Sequence, residues 1–222
     1  MIYTIGGTKG GTGKSTIATH LAALLARLHD VLLVDTDETG TSTDFSALRS
    51  ETNAPSYTCI QLSDKRVRTE VLRMKDKYDR IVIDCGARDT VAQRAALSIT
   101  DIYIVPFAPR SYDIWTLDQV CDLIEEARVF NEKLQAFSLV NKADSRGKDN
   151  EQAYELLAER NETMTALRSA IINRKSFNAA ADQGLIVHEW VKANAGGRPG
   201  EPHDPKAVHE IDEIMKQLNV NL

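Results

Sequence analysis

The stretch that decides the fold is Lys9-Gly10-Gly11-Thr12-Gly13-Lys14-Ser15-Thr16, which directly follows the apolar run Ile2 to Ile5. Glycines after a strand let consecutive backbone N–H groups converge on one point, and a helix that starts near Lys14 adds its positive dipole end. The pattern therefore predicts a phosphate-binding loop, with Lys14 on the β- and γ-phosphates and Ser15 on Mg²⁺. A glycine-rich turn without a ligand is the alternative. The predicted nucleotide-binding residues of this loop are Gly10, Gly11, Thr12, Gly13, Lys14, Ser15 and Thr16.

Working outward from the loop, short aliphatic runs alternate with helical patterns. One helical pattern has its apolar residues at three- and four-residue spacing from Ile17 to Leu28. Such alternation predicts an α/β fold, with a mainly parallel twisted sheet and helices on both faces. We expect a single domain over residues 1–222, because single domains of this size are common. The expected strands are 2–5, 31–34, 57–62, 81–83, 102–105 and 137–140.

Composition excludes several classes of protein. A net charge of −5 argues against a protein that covers its whole surface with nucleic acid, so any such contact needs a local basic patch. The three cysteines are far apart and form no C-x-x-C pair, which indicates neither a disulfide framework nor a zinc site and disfavours an iron–sulfur reductase. The chain opens directly on a strand, which leaves no room for a signal peptide, so we expect a cytoplasmic location.

Carboxylates follow two of the predicted strands. Asp35-Thr36-Asp37 directly follows the second predicted strand, and Asp84 directly follows the apolar run Ile81 to Ile83 as in a Walker B motif. Ligands in parallel sheets bind at the carboxyl ends of the strands, so these carboxylates are expected beside the phosphate loop. Two carboxylates at the end of a buried strand are costly unless a cation or water uses them. The predicted metal-binding residues are Ser15, Asp35 and Asp84.

The loop resembles the deviant Walker A motif, K-G-G-x-G-K-[ST], of the ParA/MinD family. The usual first glycine is Thr8 here, and the extra lysine, Lys9, is the signature residue of that family. The likeness runs to about residue 141 and includes Pro106, Pro109, Ser111, Asp113 and Trp115, which resemble the family's P-x-x-P-S-x-x-D-x-W stretch with slightly altered spacing. The chain has Asp37-Glu38-Thr39-Gly40 where the family often has D-P-Q-G.

The resemblance implies an ATPase that uses ATP and Mg²⁺ and forms a homodimer around two nucleotides. It assigns Asp35 to metal and loop support, Asp37 to orienting the attacking water, and Lys9 to the partner's phosphates. The implied catalytic residues are thus Lys9, Lys14 and Asp37. Hydrolysis would be slow until a ParB-like or other small activator binds, because a cation supplied in trans is worth about 10³–10⁵ in rate in related enzymes.

The segment Asn141-Lys142-Ala143-Asp144 leaves open whether the nucleotide base is adenine or guanine. This spelling matches the N-K-x-D motif of many GTPases, in which the aspartate binds guanine, whereas in the ParA family an asparagine here contacts adenine. The deviant loop belongs mostly to ATPases, so we expect ATP, with Asn141 as a nucleotide contact. A GTPase is the alternative.

Partition of a plasmid or other cargo on non-specific DNA is the expected function. The candidate DNA contacts are Arg174, Lys175, Lys192 and Arg198, and the expected location is cytoplasmic and nucleoid-associated when ATP is bound. A MinD-like membrane-associated ATPase is the alternative. The last helical pattern, 207–218, opposes its apolar stripe with an acidic face that anionic lipid would repel, so membrane binding is not expected and the stripe is interpreted as core packing.

Overall fold

The computed structural model describes residues 1–87, 90–109, 116–145, 149–191 and 200–220. The strands are β1 Ile2–Ile5, β2 Val31–Asp35, β3 Thr58–Gln61, β4 Arg80–Asp84, β5 Ile102–Phe107, β6 Gln135–Ala143, β7 Thr165–Ala166 and β8 Ile171–Ile172. The helices are α1 Lys14–Leu25, α2 Thr41–Ser50, α3 Arg66–Met74, α4 Val91–Leu97, α5 Leu117–Arg128, α6 Asp149–Ala158, α7 Lys175–Ala181 and α8 Pro205–Gln217.

The strands form one sheet in the order β3-β2-β4-β1-β5-β6-β7, and β8 pairs with the end of β6. All of these pairings are parallel, which confirms the predicted α/β class. Strand β1 lies between β4 and β5, so the chain leaves it toward one half of the sheet and later returns to the other half. Ligands of such sheets bind at this change of direction. The phosphate-loop segment follows β1 there.

Strand side chains alternate between the two faces of the sheet, and both faces are apolar. Helices therefore cover both faces. On one face, α1 and α8 pack with Phe177 of α7 against residues such as Leu33, Val82 and Ile104. On the other face, α3 and α4 cover β2 and β4, while α5 and α6 cover β5 and β6. The apolar stripe of α8 is buried in the first core, as predicted. Among the described helices, none is both long enough and apolar enough to span a membrane.

Two expectations about the elements were wrong. Leu28 was expected on the buried face of α1, but the helix ends at Leu25 and the Leu28 side chain is 65% exposed. Strand β6 was expected to end at residue 140, but it continues to Ala143 because β8 pairs with its end. Lys142, in this added part, has a left-handed backbone with φ 55°.

Candidate nucleotide-binding site

Residues 6–13 form the connection from β1 to α1, and its glycines permit the turn. Gly11 and Gly13 have φ values of 76° and 92°, in the left-handed region that favours glycine. Gly13 is also the N-cap of α1, where no side chain caps the helix and no acidic residue lies in the first turn. The first N–H groups of α1 are thus available to an anion, as a phosphate site requires.

Lys14 is held inside the loop. Its Nζ donates to the carbonyl oxygen of Lys9 at 2.8 Å, and the residue is only 6% exposed. Burial lowers the pKa of Lys14, whereas the carboxylates of Asp84 and Asp37 raise it. The buried ammonium lies in the field of these two carboxylates, so the loop, β2 and β4 contribute charges to one site.

Asp84 ends β4 opposite Asp35 of β2 and Ile5 of β1. The residue is fully buried, and its Oδ2 accepts a 2.6 Å hydrogen bond from the Ser42 hydroxyl. Its Oδ1 has no hydrogen-bond partner among the described residues. Burial raises the pKa of Asp84 to about 7, and the hydroxyls of Ser42 and Ser15 partly offset this effect. A buried, unpartnered carboxylate oxygen beside a serine hydroxyl is a hard donor set of the kind that Mg²⁺ prefers.

Asp35, in contrast, has hydrogen-bond partners on both carboxylate oxygens. Its Oδ1 accepts from the amide of Asp37 at 3.0 Å, and its Oδ2 accepts from both the amide and the hydroxyl of Thr43, at 2.9 and 3.0 Å. The carboxylate therefore connects the end of β2 to the first turn of α2. In this arrangement Asp35 positions its neighbours, and direct metal ligation by Asp35 stays a prediction.

Asp37 lies in the short segment between β2 and α2. Its carbonyl accepts from the side-chain amide of Gln61 at 2.9 Å, and its Oδ1 accepts from the amide of Thr39. A Cβ atom at Gly86, just after β4, would lie 3.3 Å from Asp37 Oδ2. Glycine at position 86 thus leaves room for this carboxylate next to the Asp84 strand end.

Asn141 joins the end of β6 to the phosphate loop. Its Nδ2 donates to the carbonyl oxygen of Thr12 at 2.6 Å, and a Cβ atom at Gly13 would lie 2.2 Å from the same nitrogen. A pocket opens beside this contact, and both polar and apolar residues line it. It is lined by Gly13, Thr16, Asn141, Ile171, Arg174, Phe177 and Ile211, among others. Its place next to the first turn of α1 suits a base whose phosphates occupy the loop.

The four candidate DNA contacts have different surroundings. Arg174 lines the pocket just described, where its Nη2 lies 2.5 Å from Glu210 Oε1 and its Nη1 lies 4.0 Å from Asp204 Oδ2. Its charge is therefore already matched within the chain, which does not favour a DNA contact. Lys175 is exposed at the start of α7, and Lys192 and Arg198 lie outside the described residues, as do Ser111, Asp113 and Trp115.

Asp144, the residue expected to bind guanine in the GTPase alternative, is exposed and does not line the pocket. Its backbone N–H and C=O pair with the side chain of Asn150.

Sequence reasoning missed Ser42 and Thr43, which bind the two strand-end carboxylates, and the apolar side chain of Phe177 in the pocket lining. The residues S-T at the start of α2 are a local cue, because hydroxyls near a helix start often bind neighbouring groups.

A phosphate loop at the β1 switch point, with a helix N-terminus and a buried strand-end carboxylate, defines a nucleotide-binding protein of the phosphate-loop class. Residues 3–187 match the family model of the CobQ/CobB/MinD/ParA nucleotide-binding domain, and the chain belongs to this family. The predicted resemblance to the ParA/MinD family is thereby confirmed.

Two relatives are similar over nearly their whole length, and both are named maintenance of carboxysome distribution protein A. The protein from Gloeobacter kilaueensis is 30% identical over 94% of this chain and 93% of its own length. The protein from Halothiobacillus neapolitanus is 27% identical over 95% of this chain and 92% of its own length.

Solved structures show the same fold. A variant of McdA from Cyanothece in complex with ATP has a TM-score of 0.80 at 14% identity, over 100% of this chain and 97% of that chain. A plasmid partition protein from Borrelia burgdorferi bound to AMPPNP has a TM-score of 0.72 at 19% identity, over 98% of both chains. MinD from Pyrococcus horikoshii with Mg-ADP has a TM-score of 0.69 at 16% identity, over 98% of this chain and 95% of that chain.

Proposed function

We propose that this chain is an Mg²⁺-dependent ATPase whose ATP-bound homodimer binds DNA without sequence preference and distributes a large cargo in the cell. The observation that carries the ATPase part is the unpartnered Oδ1 of Asp84 inside a buried site that also holds Lys14. A buried carboxylate oxygen without a donor is costly in a protein that binds nothing there.

The residues of the site divide the work of phosphoryl transfer. Lys14 and the first N–H groups of α1 bind the phosphates, and Asp84 and Ser15 would hold Mg²⁺, which neutralises phosphate charge when bound. Asp37, whose carboxylate lies beside Gly86, orients the attacking water. Lys9 crosses to the phosphates of the partner chain, so each site is complete only in the dimer. A small activator protein of the ParB type speeds hydrolysis.

Adenine is the proposed base. Asn141 uses its amide nitrogen on the Thr12 carbonyl, and its carbonyl oxygen can accept from an exocyclic amine. Asp144, which a guanine site would need, is outside the pocket lining.

The cargo follows from the relatives. Both curated relatives carry a name that refers to the distribution of carboxysomes, so we propose a protein assembly of that size class as the cargo. Plasmid partition is the second candidate, supported by the likeness in fold to the Borrelia burgdorferi partition protein. The expected location is the cytoplasm, on the nucleoid when ATP is bound.

The first test measures nucleotide binding and hydrolysis. Isothermal titration should show Mg-ATP binding to the wild type, and Lys14→Ala should remove it, whereas the exposed Lys216→Ala is the matched control. Asp37→Ala should keep the affinity and trap an ATP-bound dimer, because water positioning is lost while phosphate contacts remain. Preference for GTP over ATP would overturn the base assignment, and wild-type hydrolysis by Asp37→Ala would overturn the role of Asp37.

A second test addresses Lys9. Lys9→Ala should leave the monomer folded but abolish ATP-dependent dimerisation, which light scattering reports. An Lys9→Ala protein that still dimerises and still responds to its activator would contradict the proposed contact across the dimer.

A further inference from the structure

Helix α3 and the turn after it carry the most cationic stretch of this acidic chain. Residues 65–80 include seven Lys or Arg and three Asp or Glu, although the whole chain has 27 and 32. Six of the cations are exposed, and we name this set the α3 cationic face. It consists of Lys65, Arg66, Arg68, Arg73, Lys75 and Lys77.

These charges are mostly not neutralised within the chain. Arg73 pairs with Glu70 at 2.9 Å, and its side chain is still 71% exposed. No ion pair with a described carboxylate involves the other five cations, in contrast to Arg174 and its Glu210 partner. Surface cations without carboxylate partners remain available to an external polyanion.

The opposite side of α3 explains why the cations face outward. Val67 and Val71 are fully buried, and they pack in the core that also contains Leu32, Val34 and Ile83. No large apolar side chain of residues 64–79 is among the exposed ones in the described parts of the chain. A helix that binds a bilayer inserts apolar side chains, so the α3 cationic face suits nucleic-acid phosphates and does not suit lipid.

The length of α3 is also sufficient for contact with several phosphates of a DNA duplex. With a rise of about 1.5 Å per residue, α3 is about 13 Å long, and a DNA duplex carries about eight phosphate charges over that distance. Contacts from lysine and arginine to phosphates carry no information about the bases, so binding through such contacts is independent of sequence.

The face begins next to the nucleotide site. Gln61, the last residue of β3, donates its side-chain amide to the carbonyl of Asp37, and the amide of Leu62 donates to the carbonyl of Asp35. Only three residues separate Leu62 from Arg66, where α3 begins. The start of the cationic helix is therefore linked through β3 to the segment proposed to orient water.

We infer that the α3 cationic face is the DNA-binding surface of this protein, an inference that rests on the proposed DNA-dependent function. The phosphate contacts come from α3, and the late cations expected from sequence are not needed for them. Dimerisation with ATP brings two such faces into one particle, which multiplies the number of phosphates engaged.

The test compares two triple variants in the full chain. Lys65→Gln, Arg68→Gln and Lys75→Gln remove three cations from the face, and glutamine is compatible with a helix. The matched control, Lys133→Gln, Lys206→Gln and Lys216→Gln, removes the same charge from exposed positions elsewhere. Binding to an unrelated duplex is measured with ATP over a salt series, and circular dichroism and ATP affinity check that both variants fold.

The face variant should bind DNA on the order of 10² times more weakly than the control near 0.1 M salt, if all three cations contact phosphates. Its slope of log affinity against log salt should be less steep by about 2 to 3, because each contact contributes about 0.9. Equal binding by the two variants, with DNA binding by the wild type, would overturn this inference and leave the proposed function intact. Absence of DNA binding by the ATP-bound wild type would overturn both, and binding to anionic vesicles by the wild type but not by the face variant would assign the face to lipid.

Discussion

The buried His20 should make the stability of this protein strongly dependent on pH. Its side chain lies one turn beyond Thr16 in α1 and is 1% exposed. The amide of Val187 donates to Nε2 at 3.3 Å, so Nδ1 carries the proton and donates to the Thr16 carbonyl at 2.7 Å. Both ring nitrogens are thus used by the neutral imidazole, and Phe177 packs beside the ring.

Burial lowers the pKa of His20 from 6.5 to about 4. Between these two pH values the unfolded chain binds the proton more tightly than the folded chain does. The contribution of neutral His20 to stability is therefore complete above pH 6.5 and is lost as the pH falls toward 4. A tenfold difference in proton affinity is worth about 1.4 kcal/mol, which gives a loss of about 3 kcal/mol over this range.

The assay is urea unfolding of the wild type and of His20→Gln at several pH values from 4 to 8. The difference between their free energies of unfolding should fall by about 3 kcal/mol from pH 6.5 to pH 4. His209→Gln, at an exposed position of α8, controls for the exchange of an imidazole for an amide. Parallel curves for the wild type and His20→Gln across this range would refute the reasoning.

Three further outcomes follow from the packing around the site. Gly13→Ala should destabilise the fold by about 2 kcal/mol and weaken nucleotide binding more than tenfold, because φ is 92° at this position and the added methyl group meets the Asn141 amide. Urea unfolding measures the first effect, and isothermal titration measures the second. Arg49→Ala should cost about 3–5 kcal/mol of unfolding free energy in the same urea assay, since it leaves the mostly buried Glu189 without its 2.7 Å partner. Arg174→Ala should raise the dissociation constant for ATP about threefold to tenfold in a fluorescent-nucleotide titration by removing one wall of the base pocket, and its DNA affinity at equal dimer content should not change.

The six longer strands and the chemistry at their ends were predictable because the signals are local. Each long strand lies in a short run of mostly β-branched or apolar residues, and the glycine loop, Asp35 and Asp84 come at or directly after the ends of such runs. Strands β7 and β8 have two residues each and pair with β6 through the backbone, and two residues are too few to show the side-chain period of a strand.

The contacts that organise the site were not predictable because they connect distant parts of the chain. Ser42 reaches Asp84 across 42 positions, and Asn141 reaches Thr12 across 129. Arg174 looked like a surface cation because its partner Glu210 is 36 residues away on another helix. A cation in a sequence therefore indicates a binding surface only when no carboxylate from elsewhere in the fold neutralises it.

The groups that line the proposed base pocket are far apart along the chain, and this separation has a consequence for biosynthesis. The phosphate loop is complete within the first 16 residues, but the pocket beside it also needs Asn141, Phe177 and Ile211. A nascent chain emerges from the ribosome N-terminal end first. Its phosphate loop is therefore made long before the residues that complete the proposed base pocket. With the base in this proposed pocket, nucleotide stabilises the complete fold only after α8 has emerged, so ligand-assisted folding follows the synthesis of α8.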